Sequence, residues 1–302
     1  MRILVTGGAG FIGSNLAKHL ESPAGGSHEV IVLDNFSSGS FLNLVNFCGD
    51  VITGECLAHE PCHSCDVIFH EASITDTTVV DQNLMLRNNL ESFRHVLGWA
   101  AHWNARVVWA SSAATYGNQP APNKLTDSPN PLNVYGYSKL AMEHLADRWS
   151  REHNKLPIVG LRYFNVYGPG EAHKGKFASM IYQLAQQMKS GIAPRIFKHG
   201  EQKRDFVSIL DVLAANVAAM KASTSGVYNV GCGKANTFNS VIAGLNSALG
   251  TSLQAEYIDN PYPFFQNHTE ADITATTQAL GYKPAFTNIA KGIAAYHETG
   301  AL

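Results

Sequence analysis

No run of this chain is apolar for the roughly 20 residues that a membrane-spanning helix needs. Charge of one sign is missing too: 22 Lys and Arg against 24 Asp and Glu leave a formal net charge of −2. The first absence excludes a helical membrane protein. The second argues against nucleic acid as a main partner, which asks for a basic face. An apolar strand begins directly after Met1, which leaves no space for a secretory leader and predicts a cytoplasmic chain. Disulfides are not expected there. What remains is an ordinary soluble composition, 45% hydrophobic over 302 residues. That length supports a large core as one big or two modest domains. No internal repeat or low-complexity stretch stands out.

Cysteine is sparse, with five in all. Cys56, Cys62 and Cys65, with His59 and His63 between them, have a metal-like spacing, and zinc would need four ligands converging tetrahedrally. Yet this segment lies between two expected strands, around Val51-Ile52 and Asp66 to His70, where a crossover has only to cover the sheet. We read it as a covering loop with incidental thiols and expect no metal. Cys48 and Cys232 are isolated and expected as semi-buried packing residues.

The most informative residues present are Tyr135 and Lys139, in Asn133-Val134-Tyr135-Gly136-Tyr137-Ser138-Lys139. On a helix, positions i and i+4 share a face, so an ammonium would stand beside a phenol. A free tyrosine titrates near about 10, and an adjacent cation favours its phenolate. The spacing therefore predicts a general base able to take a hydroxyl proton while a hydride leaves the same carbon.

A second pattern opens the chain. Arg2 to Val5 reads as a buried parallel strand, and it feeds Thr6-Gly7-Gly8-Ala9-Gly10-Phe11-Ile12-Gly13 and then a helical run from Ser14 to Leu20. Strand, glycine loop and helix in that order form a dinucleotide fingerprint, in which the helix N-terminus meets a pyrophosphate. The next strand, Glu29 to Leu33, ends at Asp34, where a carboxylate would accept from both ribose hydroxyls. The residues after it, Asn35 to Ser40, hold no Arg or Lys for a 2′-phosphate. NAD is thus predicted, with NADP the alternative.

Strands and helices continue to alternate: a strand over 66–70, a helix near Leu84 to Trp99, a strand over 106–110, the Tyr135 helix to about Glu152, and a strand over 158–163. This rhythm predicts an α/β fold with a doubly wound parallel (Rossmann) sheet, whose ligands bind beyond the strand carboxyl ends. Asp34, Ser112 and Asn165 all follow such ends. The alternation breaks over 166–202 and 246–302, which carry clusters such as Pro261-Tyr262-Pro263-Phe264-Phe265. Between them, Arg204 to Met220 and Gly226 to Gly231 return to the sheet. We therefore expect a dinucleotide-binding domain of 1–165 and 203–245, and a smaller, discontinuous α/β substrate domain of 166–202 and 246–302.

Taken with Ser111 to Gly117, Leu161 to Pro169 and Arg204 to Val207, these motifs make the chain resemble the extended short-chain dehydrogenase/reductase superfamily over nearly its whole length. The resemblance implies a catalytic triad of Ser112, Tyr135 and Lys139. In it Ser112 holds the reacting oxygen and Lys139 also binds the nicotinamide ribose. It further implies a cofactor site of Gly7, Gly10, Phe11, Ile12, Gly13, Asp34, Asn35, Glu71, Ala72, Ser73, Thr75, Asn88 and Val166, beside Tyr135 and Lys139.

Within the superfamily the sequence is most similar to the ADP-glycero-manno-heptose 6-epimerases. The carriers are Phe69 to Ala72, Asp76 to Thr78, Ser111 to Gly117, Asn133 to Lys139, Arg162 to Gly168 and His173 to Gly175. That resemblance implies inversion of C6 by transient oxidation with tightly bound NAD(P), in the synthesis of heptose precursors of the lipopolysaccharide core. It also implies a homo-oligomer. Lys174 would be a second acid/base, and Ser112, Asn165, Lys176, Gln183, Phe197, Arg204 and Phe265 would face the nucleotide sugar. This chain has Gly170 where the family commonly has Arg, and Lys176, Gln183 and Phe265 where it commonly has Ser, His and Tyr. A UDP-sugar 4-epimerase would use the same triad. A 4,6-dehydratase needs a carboxylate pair where Ala113-Ala114 stand, and a non-catalytic NAD-binding protein would not need an intact triad.

Overall fold

Ile3, Leu4 and Val5 have no exposed surface, as befits a strand in the middle of a parallel sheet covered on both faces. The computed structural model of the protein describes residues 1–58, 60–61, 64–153, 156–260 and 266–302. In chain order its elements are β1 (Arg2–Thr6), α1 (Phe11–Glu21), β2 (Glu29–Asp34), β3 (Asp50–Thr53), β4 (Val67–His70), α2 (Gln82–Leu86), α3 (Ser92–Trp103), β5 (Arg106–Ser112), α4 (Val134–Glu152), β6 (Ile158–Tyr163) and β7 (Asn165–Tyr167). Then follow α5 (Met180–Lys189), β8 (Arg195–Phe197), β9 (Lys203–Ser208), α6 (Ile209–Met220), β10 (Gly226–Val230), β11 (Ala235–Thr237), α7 (Phe238–Leu249), β12 (Glu256–Ile258), α8 (Thr274–Leu280) and α9 (Ile289–Glu298).

The large sheet has seven parallel strands in the order β10-β6-β5-β4-β1-β2-β3, the doubly wound arrangement expected from the sequence. The chain starts in the middle, winds outward through β2 and β3, and then returns to the other side of β1 with β4. That reversal opens a crevice at the carboxyl ends of β1 and β4, where Thr6 lies between Leu33 and His70. Leu16 and Leu20 of α1 and Val212 and Ala215 of α6 cover one face. Phe93 and Val96 of α3 and Met142 and Leu145 of α4 cover the other.

The helix expected near Leu84 to Trp99 is α2 joined to α3 through a π-helical turn over Arg87–Glu91. The turn presents Asn89 inward, where its amide grips the backbone of Ile74 (2.8 and 3.1 Å) and the hydroxyl of Ser138 on α4 (3.0 Å). The loop after β4 is thereby pinned to the helix that carries Tyr135 and Lys139.

One expectation fails here. β10 joins the large sheet beside β6, but β9 does not. β9 pairs instead with β7, the short strand that follows β6, and with β11 in a separate three-stranded sheet. A third apolar cluster joins Tyr167, Ile181, Leu184, Phe206, Val241, Leu245, Ile293 and Tyr296. Helix α7, which straddles the expected boundary at 245, packs in this cluster with α5 and α9.

Cys56 and Cys65 are buried beneath α3, whereas Cys48 is exposed rather than semi-buried, because it sits on the loop before the edge strand β3. Cys232 is buried. His59, Cys62, His63 and the 261–265 stretch, including Phe265, lie outside the described residues. Among the described residues, no three His, Cys, Asp or Glu side chains come together as metal ligands. No helix among them is long and apolar enough to cross a membrane.

Candidate active site

Asn133 caps α4 by accepting the Gly136 amide at 2.8 Å. A Cβ on Gly136 would stand 2.6 Å from the Ala114 carbonyl oxygen, so only glycine lets the helix start this close to the turn after β5. That approach brings Tyr135 beside Ser112, the last residue of β5. Lys139, one turn further along α4, is 1% exposed. Its ammonium donates to the Ser73 hydroxyl at 2.5 Å and to the Ala110 carbonyl at 2.8 Å, and lies 5.9 Å from the Tyr135 ring centre.

This geometry corrects the expected electrostatics. Burial raises the Tyr135 phenol above its ordinary value, the Ser112 hydroxyl offsets part of that, and Glu71 adds to the rise. The net direction is thus upward, although the Lys139 ammonium stands 5.9 Å from the ring centre. Lys139 itself is drawn down to about 8 by burial, against the pull of Glu71. His70 is buried and held neutral, its pKa pushed down to about 3, with Nδ1 2.8 Å from the Thr6 hydroxyl.

All three triad residues line one cavity of about 1020 Å³ at the sheet's carboxyl edge. Every expected cofactor residue lines it as well: Gly7, Gly10, Phe11, Ile12, Gly13, Asp34, Asn35, Glu71, Ala72, Ser73, Thr75, Asn88 and Val166. Gly7 has φ +69°, and a Cβ there would sit 2.6 Å from the Ala72 amide nitrogen, so the loop can lie flat on the end of β4 only with glycine. Helix α1 starts without a side-chain cap or an acidic residue in its first turn. Its free amides therefore face the cavity, as a pyrophosphate requires. Asp34 accepts from the amides of Ala9 (2.9 Å) and Phe36 (2.8 Å), which fixes its carboxylate between the glycine loop and β2. Loop, helix end and carboxylate together fit NAD.

The sugar-side expectations divide. Asn165, Phe197 and Arg204 line the cavity. Burial lowers the Arg204 guanidinium to about 10, which still leaves it cationic at neutral pH. Lys174 lines it too, in the 3-10 turn Ala172–Phe177, with its ammonium 5.4 Å from the Phe11 ring centre. Burial lowers its pKa, against the Glu171 carboxylate. Lys176 and Gln183 do not line the cavity. Lys176 is exposed over the Phe177 ring at 4.9 Å. The Gln183 amide turns back from α5 to the carbonyls of Ala178 (2.7 Å) and Lys176 (3.2 Å), and so braces that turn.

Further lining residues escaped the sequence reading. Ser37 to Gly39 and Glu55 to Leu57 close the Asp34 end. They follow the ends of β2 and β3, so the carboxyl-edge rule applied to Asp34 would have found them. Ile196, Phe206 and Phe238 add an apolar wall. Phe238 begins a helix of the third cluster and carries no local signal.

The sequence model of the NAD dependent epimerase/dehydratase family matches residues 3–231. The crystal structure of Helicobacter pylori ADP-L-glycero-D-manno-heptose-6-epimerase is 43% identical, with a TM-score of 0.91 over 99% of this chain and 95% of that one. UDP-glucose 4-epimerase from Thermotoga maritima, solved with UDP-glucose, is 28% identical, with a TM-score of 0.88 over 99% and 98% of the two chains. UDP-glucuronic acid 4-epimerase from Bacillus cereus, solved with UDP-glucuronic acid and NAD, is 27% identical, with a TM-score of 0.83 over 99% and 98%. With a glycine loop, a carboxylate and a Ser-Tyr-Lys set around one cleft, the chain belongs to the NAD-dependent epimerase/dehydratase family and is an enzyme of the isomerase kind.

Proposed function

We propose that the protein inverts C6 of ADP-glycero-manno-heptose by transient oxidation, in the synthesis of heptose precursors of the lipopolysaccharide core. The observation that carries this reading is the entry of Lys174 into the cleft that already holds Ser112, Tyr135 and Lys139. Lys174 comes from the turn after β7 and not from α4, so the cleft has two separate proton-handling groups. The 43% identity to a heptose epimerase across almost the whole chain supports the same choice of sugar.

Bound NAD supplies the acceptor that takes a hydride and gives it back. In this reading Tyr135 removes the proton of the C6 hydroxyl, and Ser112 steadies that oxygen. The ketone turns within the cleft, and Lys174 or Tyr135 returns a proton on the opposite face. Arg204 suits the diphosphate, since a guanidinium binds such oxygens bidentately. The substrate-facing unit is 166–202 and 246–302, with α7 packed into its core, and the assembly is a homo-oligomer.

A UDP-sugar 4-epimerase is the second reading, favoured by the fold match to the Thermotoga maritima enzyme. Incubating the purified protein separately with ADP-heptose and with UDP-galactose, and following each by NMR, separates the two. Inversion at C6 of the heptose, with UDP-galactose unchanged, is expected. Conversion of UDP-galactose to UDP-glucose at the greater rate would replace the first reading with the second.

A further inference from the structure

Glu71 is a buried carboxyl group of the cleft to which the proton chemistry assigns no part. It follows the end of β4, between the glycine loop and Lys139. A Cβ on Gly7 would stand 2.8 Å from the Glu71 carbonyl carbon, so its backbone lies directly against the fingerprint turn. On the other side, Lys139 is bonded to Ser73, two residues on. One carboxyl oxygen, Oε1, accepts from the Tyr163 hydroxyl at 2.9 Å, and that hydroxyl also meets the Asn216 amide at 2.8 Å. The other, Oε2, is buried and has no hydrogen-bond partner among the described residues.

A charged carboxylate oxygen left unpaired in so dry a place is costly, and a cation held nearby in the cleft lowers that cost. The titratable groups around it are Lys139 and Tyr135 from α4, Tyr163 from β6, and His70 beside it on β4, which is neutral. Lys139 is the cation among them, and it is already bonded to Ser73 and Ala110. NAD is the ligand of this cleft, and its oxidised nicotinamide carries a positive charge that the reduced form lacks. We propose that Glu71 is the countercharge of the cofactor cleft, which makes the protein hold oxidised dinucleotide in preference to reduced. This bias keeps the enzyme ready for the first half of its cycle and favours return of the hydride in the second.

Burial pushes the Glu71 carboxyl up to about 7, against the Tyr163 hydroxyl and the Lys139 charge, so it passes from neutral to anionic across the physiological range. The sign follows: preference for the oxidised form rises as pH climbs through this range. Lys139 loses its charge near 8 and moves the preference the same way, so the lower limb of the profile belongs to Glu71.

The test is a competition. Protein is equilibrated with equal NAD+ and NADH, free cofactor is removed by rapid gel filtration, and the bound ratio is read from the absorbance of the reduced ring. In Glu71→Gln, which keeps shape and removes charge, the bound NAD+:NADH ratio should fall about tenfold at pH 7.5, equivalent to about 1.4 kcal/mol. Its rise between pH 6 and 7.5 should vanish, while Glu71→Asp retains the preference. A ratio unchanged in Glu71→Gln, or lowered equally in Glu71→Asp, overturns the proposal. Should Glu71→Gln fail to fold, the wild-type profile decides: a flat ratio from pH 6 to 7.5 overturns it as well. A protein that takes up neither form would contradict the NAD site itself, a different failure from one that binds both without preference.

Discussion

Tyr135→Phe is expected to lower turnover by about 10²–10⁴-fold, the usual worth of a positioned general base, with NAD still bound. The substitution removes one oxygen and leaves the ring that lines the cleft. The cradle for the dinucleotide is built elsewhere, from the Gly7 turn, the start of α1 and Asp34. Progress curves by NMR give the rate, and cofactor released from denatured protein gives the occupancy. A Tyr135→Phe enzyme with near wild-type turnover would mean that another group takes the proton. Loss of bound NAD alongside activity would mean that Tyr135 holds the cofactor and does no more.

The second large effect is on stability. Arg162 on β6 and Glu143 on α4 form a buried pair, with side chains 6% and 8% exposed and contacts of 2.6 and 2.8 Å. Ser111 donates to the same carboxylate at 2.6 Å, and the guanidinium lies 4.6 Å from the Tyr116 ring centre. Replacing Arg162 by Met leaves a carboxylate buried without its cation, which costs about 3–5 kcal/mol. The double variant Glu143→Met with Arg162→Met removes both charges and should recover much of that loss. Urea midpoints for the two variants check this, and equal destabilisation would show that the ion pair is not the cause. Because Glu143 lies one turn beyond Lys139 and Ser111 precedes Ser112, the single variant should also lose activity at temperatures where it remains folded.

The same residues show why some features were legible in the sequence. The fingerprint turn, Asp34 and the pair Tyr135 and Lys139 are local patterns, each set by a few neighbours on one strand or helix, and each is where its pattern placed it. Strands β4, β5 and β6 are short apolar runs, and their parallel order follows from the alternation with helices. Some departures depend on distant chain. The sheet that takes β9 is set by its pairing with β7 and β11, strands about 30 to 40 residues away along the chain. The Tyr135 phenol is raised rather than lowered because surrounding chain buries it and Glu71, from the end of another strand, adds to the rise. Lys176 and Gln183 have the right positions along the chain, but their side chains turn to the loop itself.

Epimerisation in deuterium oxide is the most direct test of the central claim, that the inverted carbon gives up and regains its own hydrogen as hydride within one cleft. Mass spectrometry of the epimerised ADP-heptose should find no deuterium bonded to C6, even after many turnovers. Deuterium accumulating at that carbon in step with inversion would show a proton lost to solvent instead, and would contradict the account.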